Sequence, residues 1–213
     1  MIGTVSQKGG VGKSTIARLI AREFAAQKWS VKIADLDISQ ATSFRWRSRR
    51  LEIGIKPDVP VEQYGRVEQA LAIAPQYDLL VIDGAPHATL ATQEIAKVSD
   101  IVIIPTGLAV DDLEPTVLLA HDLAKHTDPS RIAFALCRVG DSLPEIEEVR
   151  RYLTRTTYTV LDGALPDMTG YRRAFDEGRV ASETRYPGLN KRAQELAQSI
   201  ATRIATLVNE RAA

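Results

Sequence analysis

Short apolar runs alternate along the chain with longer stretches in which apolar positions recur every three or four residues. Ile2-Gly3-Thr4-Val5 reads as a first strand, and residues 13–28 as a helix with Ile16, Leu19, Ile20 and Phe24 on one face. Val31–Ala34 reads as a second strand, followed by a helix over 40–51. Leu79–Ile82 and Ile101–Ile104 are apolar at every position, as strands are when both faces of a parallel sheet are covered. Helical stretches follow them, near 89–97 and 111–125. Ile132–Leu136 is another buried strand, with a helix near 144–154 and a last strand at Tyr158–Leu161. From Pro187 to the end, Leu189, Ala193, Leu196, Ile200, Ile204 and Leu207 give a long helix one apolar face. The alternation predicts an α/β fold: a doubly wound, mostly parallel sheet flanked by helices. No linker, repeat or low-complexity tract breaks the pattern, so residues 1–213 are expected to form a single domain.

Composition narrows the function classes. The hydrophobic fraction of 45% and charged fraction of 25% are ordinary for a globular protein. No apolar run approaches the ~18 residues that span a bilayer, and the N-terminus lacks a basic-then-apolar signal. The last helix has a mixed polar face and no aromatic on its apolar face, so it does not read as a membrane-surface helix. A single cysteine, Cys137, excludes a disulfide framework or a multi-cysteine site within one chain. The 27 basic and 27 acidic residues cancel, but unevenly. Residues 1–56 carry 11 basic and 4 acidic groups, residues 57–137 carry 4 and 12, and residues 138–213 carry 12 and 11.

Between the first strand and the first helix stands Lys8-Gly9-Gly10-Val11-Gly12-Lys13-Ser14-Thr15. Glycines let the backbone wrap a phosphate with N–H groups inward, and the helix N-terminus adds its positive end. Lys13 is placed to reach the β- and γ-phosphates of a nucleotide, and the Ser14 hydroxyl to bind Mg²⁺. Where the general form has its first glycine, this chain has Gln7. Lys8 lies on the strand side of the loop, away from the phosphates it encloses, and is placed to reach a nucleotide bound by a facing subunit.

Two further acidic motifs fit the same chemistry. Asp35-Leu36-Asp37 closes the second strand, with both carboxylates on one side of an extended chain. At the C-terminal edge of a parallel sheet they face the nucleotide crevice. Such a pair can hold the waters of Mg²⁺ or orient an attacking water. Leu79-Leu80-Val81-Ile82-Asp83 has the Walker B form, whose carboxylate sits beside the metal. Gly84-Ala85-Pro86-His87 would then sense the γ-phosphate, with His87 weak as a base.

The loop resembles the deviant Walker A motif of the ParA/MinD family of ATPases, and the wording from Tyr77 to Gly84 is most similar to short, ParF-type partition proteins. The resemblance implies ATP/ADP and Mg²⁺ as cofactors and an ATP-dependent homodimer, with Lys8 as the signature lysine that crosses the interface. It implies that Gly9 to Thr15 bind the nucleotide, that Asp37 positions the attacking water, and that Ser14, Asp35 and Asp83 serve the metal. Ile38 replaces the family's usual proline. Arg138, Pro166 and Asp167, at strand ends, match the positions that relatives use for the adenine. Arg172, Arg173, Lys191, Arg192 and Arg203 are candidates for non-specific DNA contact. Arg45, Arg47, Arg49 and Arg50 offer a second basic cluster, for a partner or simply as a solvated helix face.

Together these imply slow ATP hydrolysis, stimulated by a ParB-like or small adaptor protein, that positions a plasmid, chromosome region or protein cargo. The protein is then expected in the cytoplasm, on the nucleoid when ATP-bound, and off the membrane. Because the first strand starts at residue 2, no N-terminal helix-turn-helix domain is expected. The alternatives are a MinD-like membrane ATPase, an iron–sulfur carrier of the same superfamily, for which one cysteine is too few, and a metabolic P-loop enzyme, for which no substrate pocket is nominated.

Overall fold

The computed structural model describes residues 1–87 and 90–212. Seven strands form one sheet: β1 (Ile2–Ser6), β2 (Val31–Asp35), β3 (Val61–Gln63), β4 (Leu79–Pro86), β5 (Ile101–Thr106), β6 (Ile132–Val139) and β7 (Thr159–Pro166). Their order is β3-β2-β4-β1-β5-β6-β7, and every pairing is parallel. Between them run α1 (Lys13–Ala26), α2 (Thr42–Ile53), α3 (Val67–Ile73), α4 (Leu90–Val98), α5 (Val110–Leu123) and α6 (Leu143–Thr154). After β7 come α7 (Thr169–Asp176) and the long α8 (Pro187–Ala212).

The all-apolar runs follow from burial on both faces. Leu79 and Val81 join one core with Ile16, Leu19, Trp46, Tyr171 and Leu196, so α1, α2, α7 and α8 cover that face. Leu80 and Ile82 join the other core with Val67, Ile95, Leu119 and Val149, so α3 to α6 cover the opposite face. The apolar positions of α8 are taken up inside the first core, where Ala193, Leu196 and Ile200 are fully buried. Burying a Leu or Ile side chain contributes about 1.5–3 kcal/mol.

The helix expected near 89–97 is Leu90–Val98, and residue 89 lies outside the described residues. Three elements lack a periodic signal in the sequence. β3 has only three residues, with Glu62 exposed, and pairs on β2 at the sheet edge. α3 and α7 are short, at seven and eight residues, too few for a helical repeat to show.

β2, β3 and β4 lie on one side of β1, and β5, β6 and β7 on the other. The chain therefore reverses direction beside β1, and in such sheets the crevice at the carboxyl ends of the strands is where ligands bind.

Candidate nucleotide-binding site

The loop from Gln7 to Gly12 joins β1 to α1 at that crevice. Gly12 has φ 118°, and a side chain there would place its Cβ 3.2 Å from the Cβ and Sγ of Cys137, so only glycine fits. No side chain caps α1. The N–H groups of its first turn therefore lack a side-chain acceptor, and with the helix dipole they form a seat for an anion. Lys13 is almost buried at 7% exposure, and its Nζ donates to Ser6 Oγ at 3.0 Å. Burial lowers its pKa, while Asp83 and Asp37 pull the other way.

Register explains the acidic end. Asp35, the last residue of β2, pairs directly with Asp83 within β4, so two carboxylates stand side by side. Both are buried. Burial and the neighbouring Asp83 push the Asp35 pKa up to about 6, against three backbone N–H donors, from Asp37, Ser43 and Phe44. Burial likewise raises Asp83, opposed by hydrogen bonds with Ser43 and Ser14 and by the charges of Arg18 and Lys13. Ser43, in the first turn of α2, donates its hydroxyl to Asp83 Oδ2 at 2.7 Å. Asp37, half-buried, accepts from Ser39 Oγ at 2.7 Å and from the Gln40 N–H at 3.0 Å, which fixes its carboxylate.

Lys13, Ser14, Thr15, Asp37 and Gln40 line one cavity of about 140 Å³, together with Gly9, Gly10 and Gly12. That volume suits a phosphate chain rather than a whole nucleotide. The donors beside it are all hard oxygens: Ser14, Asp35 and Asp83. Mg²⁺ takes one or two carboxylates and fills its shell with water and substrate phosphate, so this donor set fits it. Among the described residues no cluster of three or more His, Cys, Asp or Glu forms a protein-only metal cage.

A second cavity, of about 490 Å³, opens beside the loop and is lined by Lys8, Val11, Asp112, Arg138, Glu145 and Asp167. Arg138 adopts φ +57°, a left-handed conformation that is uncommon for arginine. Its guanidinium spans from the Gly10 carbonyl, at 3.3 Å, to Asp167 Oδ2, at 3.5 Å. Arg138 and Asp167 thus meet at the ends of β6 and β7. Pro166 is buried opposite Val139 and does not line the cavity. Lys8 points away from the phosphate cavity and donates to Asp112 Oδ1 at 3.1 Å.

The basic residues separate into two groups. Arg172 is tied to Asp167 and Thr169. Arg203 donates to the Ser130 carbonyl at 2.6 Å and anchors α8 to the loop before β6. Arg173, Lys191 and Arg192 are exposed, and Arg173 shares a cavity rim with Arg179 and Arg185. The α2 cluster is mostly engaged within the chain, with Arg45 left exposed. Arg50 is fully buried on Glu183, Arg47 pairs with Asp58, and Arg49 donates to the Phe175 carbonyl.

Ser43, Arg18 and Asp112 were not legible as site residues. Ser43 and Asp112 depend on which helix turn faces which strand end. Arg18 sits four residues from both Ser14 and Arg22, on the polar side of α1, so the sequence gives no sign of its burial.

A glycine loop feeding an uncapped helix, with a buried lysine and two register-paired carboxylates beside it, has the form of a P-loop site. The chain belongs to the CobQ/CobB/MinD/ParA nucleotide binding domain family, whose model matches residues 2–181. Solved structures share the fold. The cell division ATPase MinD of Pyrococcus furiosus superposes with a TM-score of 0.74 at 18% identity, over 94% of this chain and 98% of its own. A Borrelia burgdorferi B31 protein assigned to plasmid partition, bound to AMPPNP, gives 0.71 at 18%, over 95% and 98%. A variant of Cyanothece McdA in complex with ATP gives 0.69 at 15%, over 94% and 95%. No curated protein matches the chain in sequence.

Proposed function

We propose that this protein is a ParA-like positioning ATPase that binds ATP and Mg²⁺, pairs with a second copy of itself on ATP, and then binds DNA without sequence preference. The observation that carries the proposal is the convergence of Lys13, Ser14 and Asp37 on one phosphate-sized cavity, with Asp35 and Asp83 stacked in register behind it. Solved relatives with AMPPNP, with ATP, and with Mg-ADP support the choice of nucleotide and metal.

In this reading the first-turn amides of α1 and Lys13 hold the β- and γ-phosphates. Ser14, Asp35 and Asp83 hold Mg²⁺, which when bound neutralises charge on the phosphate oxygens. Asp37, fixed by Ser39 and Gln40, orients a water in line with the γ-phosphate; the water–phosphorus bond forms as the bond to ADP breaks. Arg138 and Asp167 flank the base. Lys8 stands outside its own phosphate cavity, where it serves a facing subunit.

The neutral total charge is compatible with DNA binding. Lys8 and Lys13 belong to the site, and three of the four α2 arginines are engaged by partners within the chain: Arg47 by Asp58, Arg49 by the Phe175 carbonyl and the buried Arg50 by Glu183. Of the candidate DNA contacts, Arg173, Lys191 and Arg192 on the α7–α8 side are exposed and not tied to structural partners as Arg203 is. One copy offers few phosphate contacts, and pairing two copies doubles them and steepens the salt dependence. A ParB-like or small adaptor protein stimulates hydrolysis and so resets the cycle. Membrane targeting draws no support from α8, because Ala193, Leu196, Ile200 and Leu207 of its apolar face are packed in the core. No helix among the described residues is long and apolar enough to cross a membrane.

The test is co-sedimentation with random-sequence duplex DNA and with anionic liposomes, with and without ATP. Retention on DNA only with ATP is expected. DNA binding that is equal without nucleotide, or ATP-dependent retention on liposomes alone, overturns the proposal.

A further inference from the structure

Asp167, the residue after β7, is held by its backbone and by both carboxylate oxygens. Its N–H donates to the Val139 carbonyl at the end of β6, at 3.0 Å. Arg172 on α7 donates from Nη1 to Asp167 Oδ1, and its Nη2 donates to Thr169 Oγ1 at 2.9 Å. The other oxygen, Oδ2, meets Arg138 at 3.5 Å, and Arg138 reaches the Gly10 carbonyl at 3.3 Å. Both Arg138 contacts are long for hydrogen bonds. Arg138 and Asp167 line the cavity of about 490 Å³ beside the phosphate loop, and Arg172 is not among its lining residues. Arg172 therefore grips one oxygen from behind, while the other is held loosely on the cavity side.

An ionised carboxylate only accepts hydrogen bonds, and with both oxygens open it takes two parallel donors at once. Guanine carries such a pair, its ring N1–H beside its exocyclic amino group. Adenine carries its amino group beside a ring acceptor, so one oxygen is all it can use. A carboxylate with both oxygens open therefore favours guanine, and one with a single open oxygen loses that advantage. Sites that read a base through polar groups discriminate by the contacts they leave unmade.

We propose that Arg172 is a positioning residue that sets base preference: by holding Oδ1 it leaves Asp167 with Oδ2 alone, which accepts the amino group of adenine and withholds from guanine its paired contact. Arg172 acts through Asp167 and does not touch the base. This role takes Arg172 out of the candidates for DNA contact and separates it from its neighbour Arg173. The inference rests on the reading of Arg138 and Asp167 as the base end of the site.

The probes are the non-hydrolysable analogues AMPPNP and GMPPNP with MgCl₂, with binding followed by calorimetry. The unmutated protein binds AMPPNP more tightly than GMPPNP. Arg172→Ala opens Oδ1 and tightens GMPPNP by about tenfold, the effect of one added hydrogen bond to a charged group, while AMPPNP binding stays as it was. Arg172→Lys keeps the original preference, because an ammonium still pairs with Oδ1. Adding Asp167→Ala to Arg172→Ala removes the gain in GMPPNP. An AMPPNP-to-GMPPNP ratio unchanged in Arg172→Ala, or a GMPPNP gain that survives Asp167→Ala, overturns the inference. So does a lower salt slope of DNA binding in Arg172→Ala with the nucleotide ratio unchanged, which would make Arg172 a DNA contact. An unmutated protein that binds both analogues equally overturns the inference and leaves the phosphate-site reading standing. One that binds neither overturns that reading, and the inference with it.

Discussion

Lys8 Nζ donates to Asp112 Oδ1 across 3.1 Å, tying the glycine loop to the first turn of α5. The pair is partly exposed, at 42% and 30% for the two side chains. Such pairs contribute ~0–1 kcal/mol, so this one holds Lys8 at home yet releases it at little cost. If Lys8 serves a facing subunit, Asp112 competes with that role. Asp112→Ala should shift ATP-dependent dimerisation to lower protein concentration, and Lys8→Ala should shift it higher. Sedimentation velocity with ATP reads both. Identical dimerisation in the two variants and the wild type would refute a cross-subunit role for Lys8.

Ser43 ties α2 to the acidic pair. Its hydroxyl bond to Asp83 is a buried bond to a charged group, and bonds of that kind contribute about 1.5–3 kcal/mol. Ser43→Ala should lower the Tm and weaken Mg²⁺-dependent nucleotide binding more than nucleotide binding in EDTA. Thermal unfolding and calorimetry with and without Mg²⁺ check this. Equal weakening in both conditions would remove Ser43 from the metal end.

Arg50, Arg22 and the Val180 N–H all donate to Glu183. Burial alone would raise the Glu183 pKa, but these donors and charges outweigh it and hold the carboxyl below its ordinary value. A depressed carboxyl stabilises the fold fully above the pH where the unfolded group titrates, near 4.5. That stability is lost as pH falls from there through the lower folded value. Arg50→Ala leaves Glu183 with less compensation and should cost about 3–5 kcal/mol. Glu183→Gln should flatten the acid limb of a Tm–pH profile below pH ~4.5. A profile unchanged by Glu183→Gln would show that the acid limb arises elsewhere.

The basic candidates on α7 and α8 should separate by assay. Arg203→Ala removes a bond to the Ser130 carbonyl and should lower the Tm while leaving the salt dependence of DNA binding intact. Arg173→Ala should leave the stability within ~0.5 kcal/mol of wild type, as exposed substitutions do. It should also reduce the slope of log K against log salt by about 1 for each DNA phosphate that the arginine neutralises. Filter binding at several salt concentrations distinguishes them. The reverse pattern would move the DNA surface away from α7.

The sequence shows the fold where burial writes a periodic signal. Ile101–Ile104 is apolar throughout because successive side chains enter the two cores in turn. Val61–Gln63 stayed silent because an edge strand of three residues needs only one inward side chain. The phosphate loop, Asp35 and Asp83 were legible because each follows a short apolar run in the sequence. That Asp35 and Asp83 stand side by side comes from the β2–β4 register, which no local pattern encodes. The arginines at 45–50 read as a charged surface, yet Arg50 is buried because its partner, Glu183, returns from far along the chain. Arg203 failed to stand out as structural for the same reason.

The central claim is that Lys13 and Asp37 act on one bound nucleotide, the first holding its phosphates and the second orienting water. Phosphate release from ATP with Mg²⁺, measured beside calorimetric ATP binding, tests it most directly. The account predicts slow Mg²⁺-dependent turnover in the wild type and loss of both binding and turnover in Lys13→Ala. It predicts that Asp37→Ala retains ATP binding with turnover reduced to near background. Wild-type turnover in either variant, or ATP binding undiminished in Lys13→Ala, would contradict it.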